Sequence, residues 1–147
     1  MLERLERELM LLSRHQVLAR RECEHERLER SAYLLLNRIE TQGPMSIGQL
    51  AEAFGLDTST VNRQTAALLR CGLAERVADP DGGMARKLRI TAEGSSRLVA
   101  DREFNRSCLA RVVADWSPED VRELEDALTR LNRCAETLEG REWPRPE

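Results

Sequence analysis

The chain has 147 residues, of which 41% are apolar and 33% charged, and a formal net charge of −3. A chain of this length buries roughly 70% of its unfolded surface, so a core can form without disulfide or metal staples. Its aromatics are only Tyr33, Phe54, Phe104, Trp116 and Trp143, too few for a stacking platform that reads single strands.

The opening segment, MLERLERELM, is charged from its third residue, unlike a secretory signal. Leu2, Leu5, Leu9, Leu12, Gln16, Ala19 and Cys23 follow 3/4 spacing, which predicts a long amphipathic helix whose seam weakens toward its end. A second helix is expected from Leu28 to Thr41, with Ala32, Leu35, Leu36 and Ile39 inward, ended by Gln42-Gly43-Pro44. Ser46 and Gln49 then form a capping-box pattern that opens a short helix, and Gly55 closes it.

Asp57 or Thr58 caps the next helix, which runs to about Arg70 and stops at Gly72. Leu50, Ala51, Phe54, Leu56, Val61, Leu68 and Leu69 supply a shared core for these two short helices, a helix-turn-helix pattern. Leu73–Ala78 and Ala85–Thr91 read as strands around the turn signal Asp79-Pro80-Asp81-Gly82-Gly83. Alternation puts Leu88 and Ile90 on one face, Lys87 and Arg89 on the other. A hairpin directly after a helix-turn-helix is a wing. Thr91 can cap a helix from Ala92 to about Ala114. Ser117-Pro118-Glu119-Asp120 opens a last helix striped by Val121, Leu124, Leu128, Leu131, Ala135 and Leu138. Residues from Gly140 onward read as a frayed tail.

The fold class is therefore mainly α, an α+β winged helix flanked by long helices. Four segments are expected: residues 1–28 as an N-terminal dimerisation helix, 29–91 as the winged helix-turn-helix, 92–139 as C-terminal dimerisation helices and 140–147 as a flexible tail. Charge is unevenly spread over them. From Phe54 to Arg97 seven basic residues face five acids, whereas from Leu98 onward eight arginines face twelve acids. A local basic surface suffices for phosphate binding even in an acidic chain.

The match to one family is specific. Ile47–Gly83, IGQLAEAFGLDTSTVNRQTAALLRCGLAERVADPDGG, followed by LRITAEG and by the Trp116–Asp120 helix start, resembles the MarR family of winged-helix transcription regulators. The resemblance covers about residues 2–138. It implies an obligate homodimer in which the first and the last two helices interlock, and a small aromatic or phenolic effector bound between those helices and the winged helix. Tyr33, Leu36 and Trp116 are candidates to line that pocket. The family's wing tip carries Asp-x-Arg, but the spacing back from Thr91 places Gly82 and Met84 there. Arg86 and Lys87 are the candidates to take the arginine's place.

A helix that enters a major groove needs polar and cationic opening turns, because those side chains meet base edges and phosphates. In the helix at about 58–70, Ser59, Thr60, Asn62, Arg63 and Gln64 fit that demand: Arg63 for guanine, Asn62 or Gln64 for adenine. Ser46 and Thr58, at helix N-termini, suit phosphates. In the wing at about 74–90, Arg76, Arg86, Lys87 and Arg89 are phosphate or minor-groove candidates. The expected partners are double-stranded DNA and a second copy of the chain, with the chain acting as a repressor.

Cys23, Cys71, Cys108 and Cys134 show no CxxC spacing, so reduced cytosolic thiols are expected. The last three read as core. Cys23 is a candidate redox sensor by the family resemblance, since some relatives carry a peroxide-sensing thiol in that helix. Cys23 and His25 point about 200° apart on a helix and do not chelate one ion by themselves. No carboxylate pair sits with a nucleophile, and Gly82-Gly83 opens no helix, so it is not a phosphate loop. No enzymatic activity, cofactor, metal or membrane partner is expected, and the location is expected to be cytoplasmic. Two alternatives stand beside the DNA-reading repressor: an oxidation-sensing regulator of the same fold acting through Cys23, and a winged-helix protein-interaction module that does not bind DNA.

Overall fold

The computed structural model describes residues 1–15 and 28–145. Six helices and two strands follow in chain order among them: α1 (Leu2–Arg14), α2 (Arg30–Gln42), α3 (Ile47–Phe54), α4 (Thr58–Arg70), β1 (Ala74–Val77), β2 (Lys87–Ile90), α5 (Ala92–Val112) and α6 (Pro118–Glu139). The later part of the first expected helix, with Gln16, Ala19, Cys23 and His25, lies outside the described residues.

The element boundaries have local causes. Ser46 Oγ accepts the Gln49 amide at 3.1 Å while Gln49 Oε1 accepts the Ser46 amide at 2.9 Å, a complete capping box at the start of α3. Gly55 closes α3 in the left-handed region, at φ +61°. Asp57 is the N-cap of α4, but its side chain makes no capping hydrogen bond. Thr91 caps α5 through the Gly94 amide. Ser117 and Asp120 form a second capping box, with Pro118 at the first helical position of α6.

One core lies under the winged helix. Leu35, Leu36 and Ile39 of α2 meet Leu50 of α3, Val61 and Leu68 of α4, Leu73, Leu88 and Leu98. β1 and β2 pair antiparallel, Ala74 opposite Ile90 through Val77 opposite Lys87. Met45 adds a bridge to Leu88, with hydrogen bonds of 3.1 and 2.8 Å. The wing is thereby sewn to the segment that precedes α3. Gly94 lets α5 start against this sheet: a Cβ there would stand 2.1 Å from the Leu73 carbonyl oxygen.

The outer helices differ. Among the described residues, neither α1 nor α6 has a buried side chain. The stripe of α6, Val121, Leu124, Leu128 and Leu131, stays 38–42% exposed. On α5, Leu98 and Cys108 are buried, whereas Leu109 and Val112 are exposed. Cys71 and Cys134 are exposed, contrary to expectation. Cys71 is the C-cap of α4 beside Gly72, and Cys134 sits on a helix that buries nothing.

The segment after α6 also departs from expectation. Over Gly140–Arg145 it packs back on the winged helix: the Trp143 ring stands edge-on to Phe54, centroids 5.6 Å apart. Residues 146–147 lie outside the described residues.

Candidate nucleic-acid interface

α4 divides cleanly along its length. Val61, Thr65 and Leu68 are buried, and Thr65 Oγ1 donates to the Val61 carbonyl at 2.7 Å. Its hydroxyl thus spends its hydrogen bond inside its own helix. Thr58, Ser59, Asn62 and Arg63 are exposed, and Thr60 and Gln64 half-buried. Ser59, Asn62 and Arg63 stand at i, i+3 and i+4, which places them on one face. Among the described residues no ion pair holds Arg63, so its guanidinium is free to fork onto a planar acceptor.

Ser46 is half-buried and its hydroxyl is engaged by the Gln49 amide. Thr58, the first residue of α4, is exposed at that helix's N-terminus. There the unpaired amides and the helix dipole favour an anion.

The wing cations do not form one free set. Lys87 is only 9% exposed, and its Nζ lies 3.3 Å from Asp79 Oδ1. It belongs to the base of the wing and not to its outer face, which corrects the strand-alternation expectation. The reason is that the turn folds Asp79 back over the start of β2. Asp79 Oδ1 accepts the Asp81 amide at 2.9 Å, and Gly82 takes φ +83°. Hydrogen bonds from the Asp81 amide, then the Lys87 ammonium and the Gly83 amide hold the Asp79 carboxyl below the usual carboxylate range. Asp79 is therefore the residue that shapes the wing. Its signal in the sequence was the Asp two residues ahead of Asp81 in a DPDGG turn, which builds an Asx turn.

Arg89 is exposed, but its Nε donates to Glu75 Oε1 at 3.0 Å across the two strands. Arg76 and Arg86 are exposed, and among the described residues neither is in an ion pair. Met84, at the wing-tip position where the family pattern has an arginine, is fully exposed. Among the described residues, the cations of α4 and the wing that no ion pair holds are thus Arg63, Arg70, Arg76 and Arg86, with Arg70 in the last turn of α4.

Leu36 is core, with 0% exposure, and Tyr33 packs beside that core. Trp116 is exposed at the α5–α6 corner, where a shallow cavity is walled by Asp115, Asp120, Glu123 and Leu124. A cavity of about 310 Å³ lies between α2, α3 and the C-terminal segment, with Arg38, Gln42, Gln49 and Arg141 among its walls. Cys23, the redox candidate, lies outside the described residues. Among those described, no group of three or more His, Cys, Asp or Glu side chains could hold a metal ion. No described helix is long and apolar enough to cross a membrane.

The profile of the MarR family matches residues 28–82. Over 107 residues the chain is 36% identical to YxaD, an uncharacterized HTH-type transcriptional regulator of Bacillus subtilis strain 168, covering 73% of this chain and 75% of that one. A MarR family protein from Bacillus stearothermophilus superposes with a TM-score of 0.70 at 23% identity, over 90% of this chain and 91% of the other. The PcaV transcriptional regulator from Streptomyces coelicolor, in complex with its natural ligand, gives a TM-score of 0.63 at 23% identity, over 89% and 91%. The last two likenesses concern the fold.

Proposed function

Because the chain belongs to the MarR family and is a transcriptional regulator, not an enzyme, we propose that it acts as a homodimer that reads pseudo-palindromic duplex DNA. Residues 29–91 form the reading unit in this proposal, and 1–28 with 92–139 the dimer-forming part. α4 enters the major groove with Ser59, Asn62 and Arg63 toward the base edges and Thr60 and Gln64 at the flanks. Thr58 and Ser46, at the helix N-termini, face phosphates. Arg76 and Arg86 meet the backbone or the adjacent minor groove, Arg89 joins them on exchange from Glu75, and Lys87 holds the wing in shape.

The observation that carries this reading is the division of α4. Its polar opening face is exposed while the opposite face is sealed into the core by Val61, Thr65 and Leu68. A two-fold dimer places its half-sites about one helical turn, roughly 34 Å, apart. Repression is the regulatory sign we propose, released by a small aromatic or phenolic effector, as the family resemblance implies.

Selection of genomic fragments by the purified chain, followed by binding at several salt concentrations, tests the reading. Affinity is expected to fall linearly on a log–log plot as phosphate counterions are released. Arg63→Ala is expected to lose about 1–3 kcal/mol of discrimination at one base pair per half-site. Arg86→Ala is expected to weaken all duplexes alike and to flatten the salt slope by about one. Salt-insensitive binding would favour a protein partner instead. Retention of the wild-type preference by Arg63→Ala would remove that residue from the reading set.

A further inference from the structure

We infer that Trp143 and Arg141 are positioning residues for the reading unit: residues 140–145 form a strap that ties the end of α6 to the turn between α3 and α4. The inference rests on the proposed DNA-binding function and adds to it what sets the attitude of the reading helix. α6 buries none of its own side chains, so its attachment to the winged helix is concentrated in this segment.

The strap is built from several independent contacts. Gly140, at φ +67°, turns the chain out of α6, and the Arg141 amide donates back to the Glu136 carbonyl at 3.0 Å. Arg141 Nε then donates to the Glu52 carbonyl at 3.2 Å, in the last turn of α3. A cation there suits the negative end of the helix dipole. The same guanidinium covers Gly55, where a Cβ would stand 2.6 Å from Arg141 Cζ. Arg141 thus lies on the residue that turns α3 into α4.

Trp143 makes the second grip. Its ring stands at 79° to the Phe54 ring, and the Arg38 guanidinium lies 5.1 Å from its centroid. Arg38 is 9% exposed, with Nε on Gln42 Oε1 at 2.8 Å and Nη1 on the Glu142 carbonyl at 3.4 Å. A buried guanidinium that meets an amide oxygen, a carbonyl and an aromatic face is held by that surrounding, and α2, α3 and the strap meet at it. The far end is locked by Glu136, which receives both Arg145 terminal nitrogens at 2.6 and 2.9 Å and the Trp143 amide at 3.2 Å.

In a dimer joined through the end helices, such a strap fixes where each α4 sits relative to its twin. Its loss leaves each half-site recognised but the pair misplaced. The strap itself is tested in full-length chain carrying Trp116→Phe, so that Trp143 alone emits. Short-wavelength emission shielded from iodide is expected, and the emission of a solvated indole would overturn the strap. The positioning role is tested with Trp143→Ala, Arg141→Ala and the conservative Trp143→Phe, each shown by amide exchange to keep the α2 core protected. On a duplex selected by the wild-type chain, Trp143→Ala is expected to bind about tenfold more weakly, with Trp143→Phe recovering most of the loss. On a duplex with one half-site, all variants are expected to match the wild type. Wild-type affinity of Trp143→Ala on the full site, or an equal loss on the half-site, would overturn the positioning role. A wild-type chain that binds no duplex would instead overturn the DNA-binding proposal and the positioning role with it, while the emission result still decides whether the strap exists.

Discussion

The middle of the chain and its two ends solve the hydrophobic problem differently. From α2 to the start of α5 the apolar stripes pack within the same subunit: Leu36, Leu50, Val61 and Leu98 are all fully enclosed, although Leu56, expected in that core, stays exposed at the turn between α3 and α4. In α1 and α6 the stripes are as regular, yet among the described residues none of their side chains is buried. Leu2, Leu5, Leu9 and Leu12 line α1 at close to half exposure or more. Amphipathic helices without an inner partner are written for another surface. The contrast separates what holds one subunit together from what we propose joins two.

The sharpest way to break that contrast is a pair of substitutions. Leu50→Ala is expected to cost about 2–5 kcal/mol in denaturant melts, since a fully enclosed side chain leaves a cavity. Leu128→Asp on α6 is expected to leave the protection of α2 amides in hydrogen exchange intact while the sedimenting species falls to a single subunit. Should Leu128→Asp unfold the winged helix, or leave the assembly unchanged, the two regions would not divide as described.

Smaller effects sharpen the boundary between the regions. Gly94→Ala, at the junction of wing and α5, is expected to destabilise by about 1–3 kcal/mol, because its new methyl meets the Leu73 carbonyl and backbone must move. Ser117→Ala removes the cap of α6 and is expected to cost about 1 kcal/mol of that helix's stability, read by amide exchange in its first turn. The smallest effect is one of pH. Hydrogen bonds from Arg145 first, then the Trp143 amide and nearby arginine charge, hold the Glu136 carboxyl down at about 2. A carboxylate depressed below its unfolded value of about 4.3 contributes above that value and loses its contribution as pH falls toward the folded one. Trp143 emission is therefore expected to stay constant from neutral pH to about 5 and to move toward that of a solvated indole only as the solution approaches the folded value.

Much of this is legible in the sequence alone. Caps, breakers and periodicity are local, so Ser46 with Gln49, Gly55, Thr91 and Ser117-Pro118 marked their helix ends, and the exposed polar face of α4 was visible as residues that cannot form a core. What escaped depended on contacts distant in sequence. Alternation put Lys87 beside Arg89 on an outer face, but Asp79, eight residues earlier, curls over it and draws it inward. Arg89 reads as a free cation until Glu75 is placed opposite it by the register. Cys71 and Cys134 lie beside apolar residues, yet a helix end and an unpartnered helix leave them exposed. GREWPRPE has no period and many charges, the look of a loose end. The sign to the contrary was its single tryptophan, whose seat is built by Arg38 and Phe54 far upstream.

The central claim is that two subunits present their α4 tips to one side of a duplex. Pulsed dipolar spectroscopy measures it directly, on Asp57→Cys spin-labelled chain whose own four cysteines are replaced by alanine; Asp57 is exposed at the same helix tip and makes no capping hydrogen bond. On a selected duplex the account predicts one distance distribution consistent with tips one helical turn, roughly 34 Å, apart. Absence of a dipolar signal, as from a lone subunit, or a distance too long for adjacent turns of one face, would contradict it.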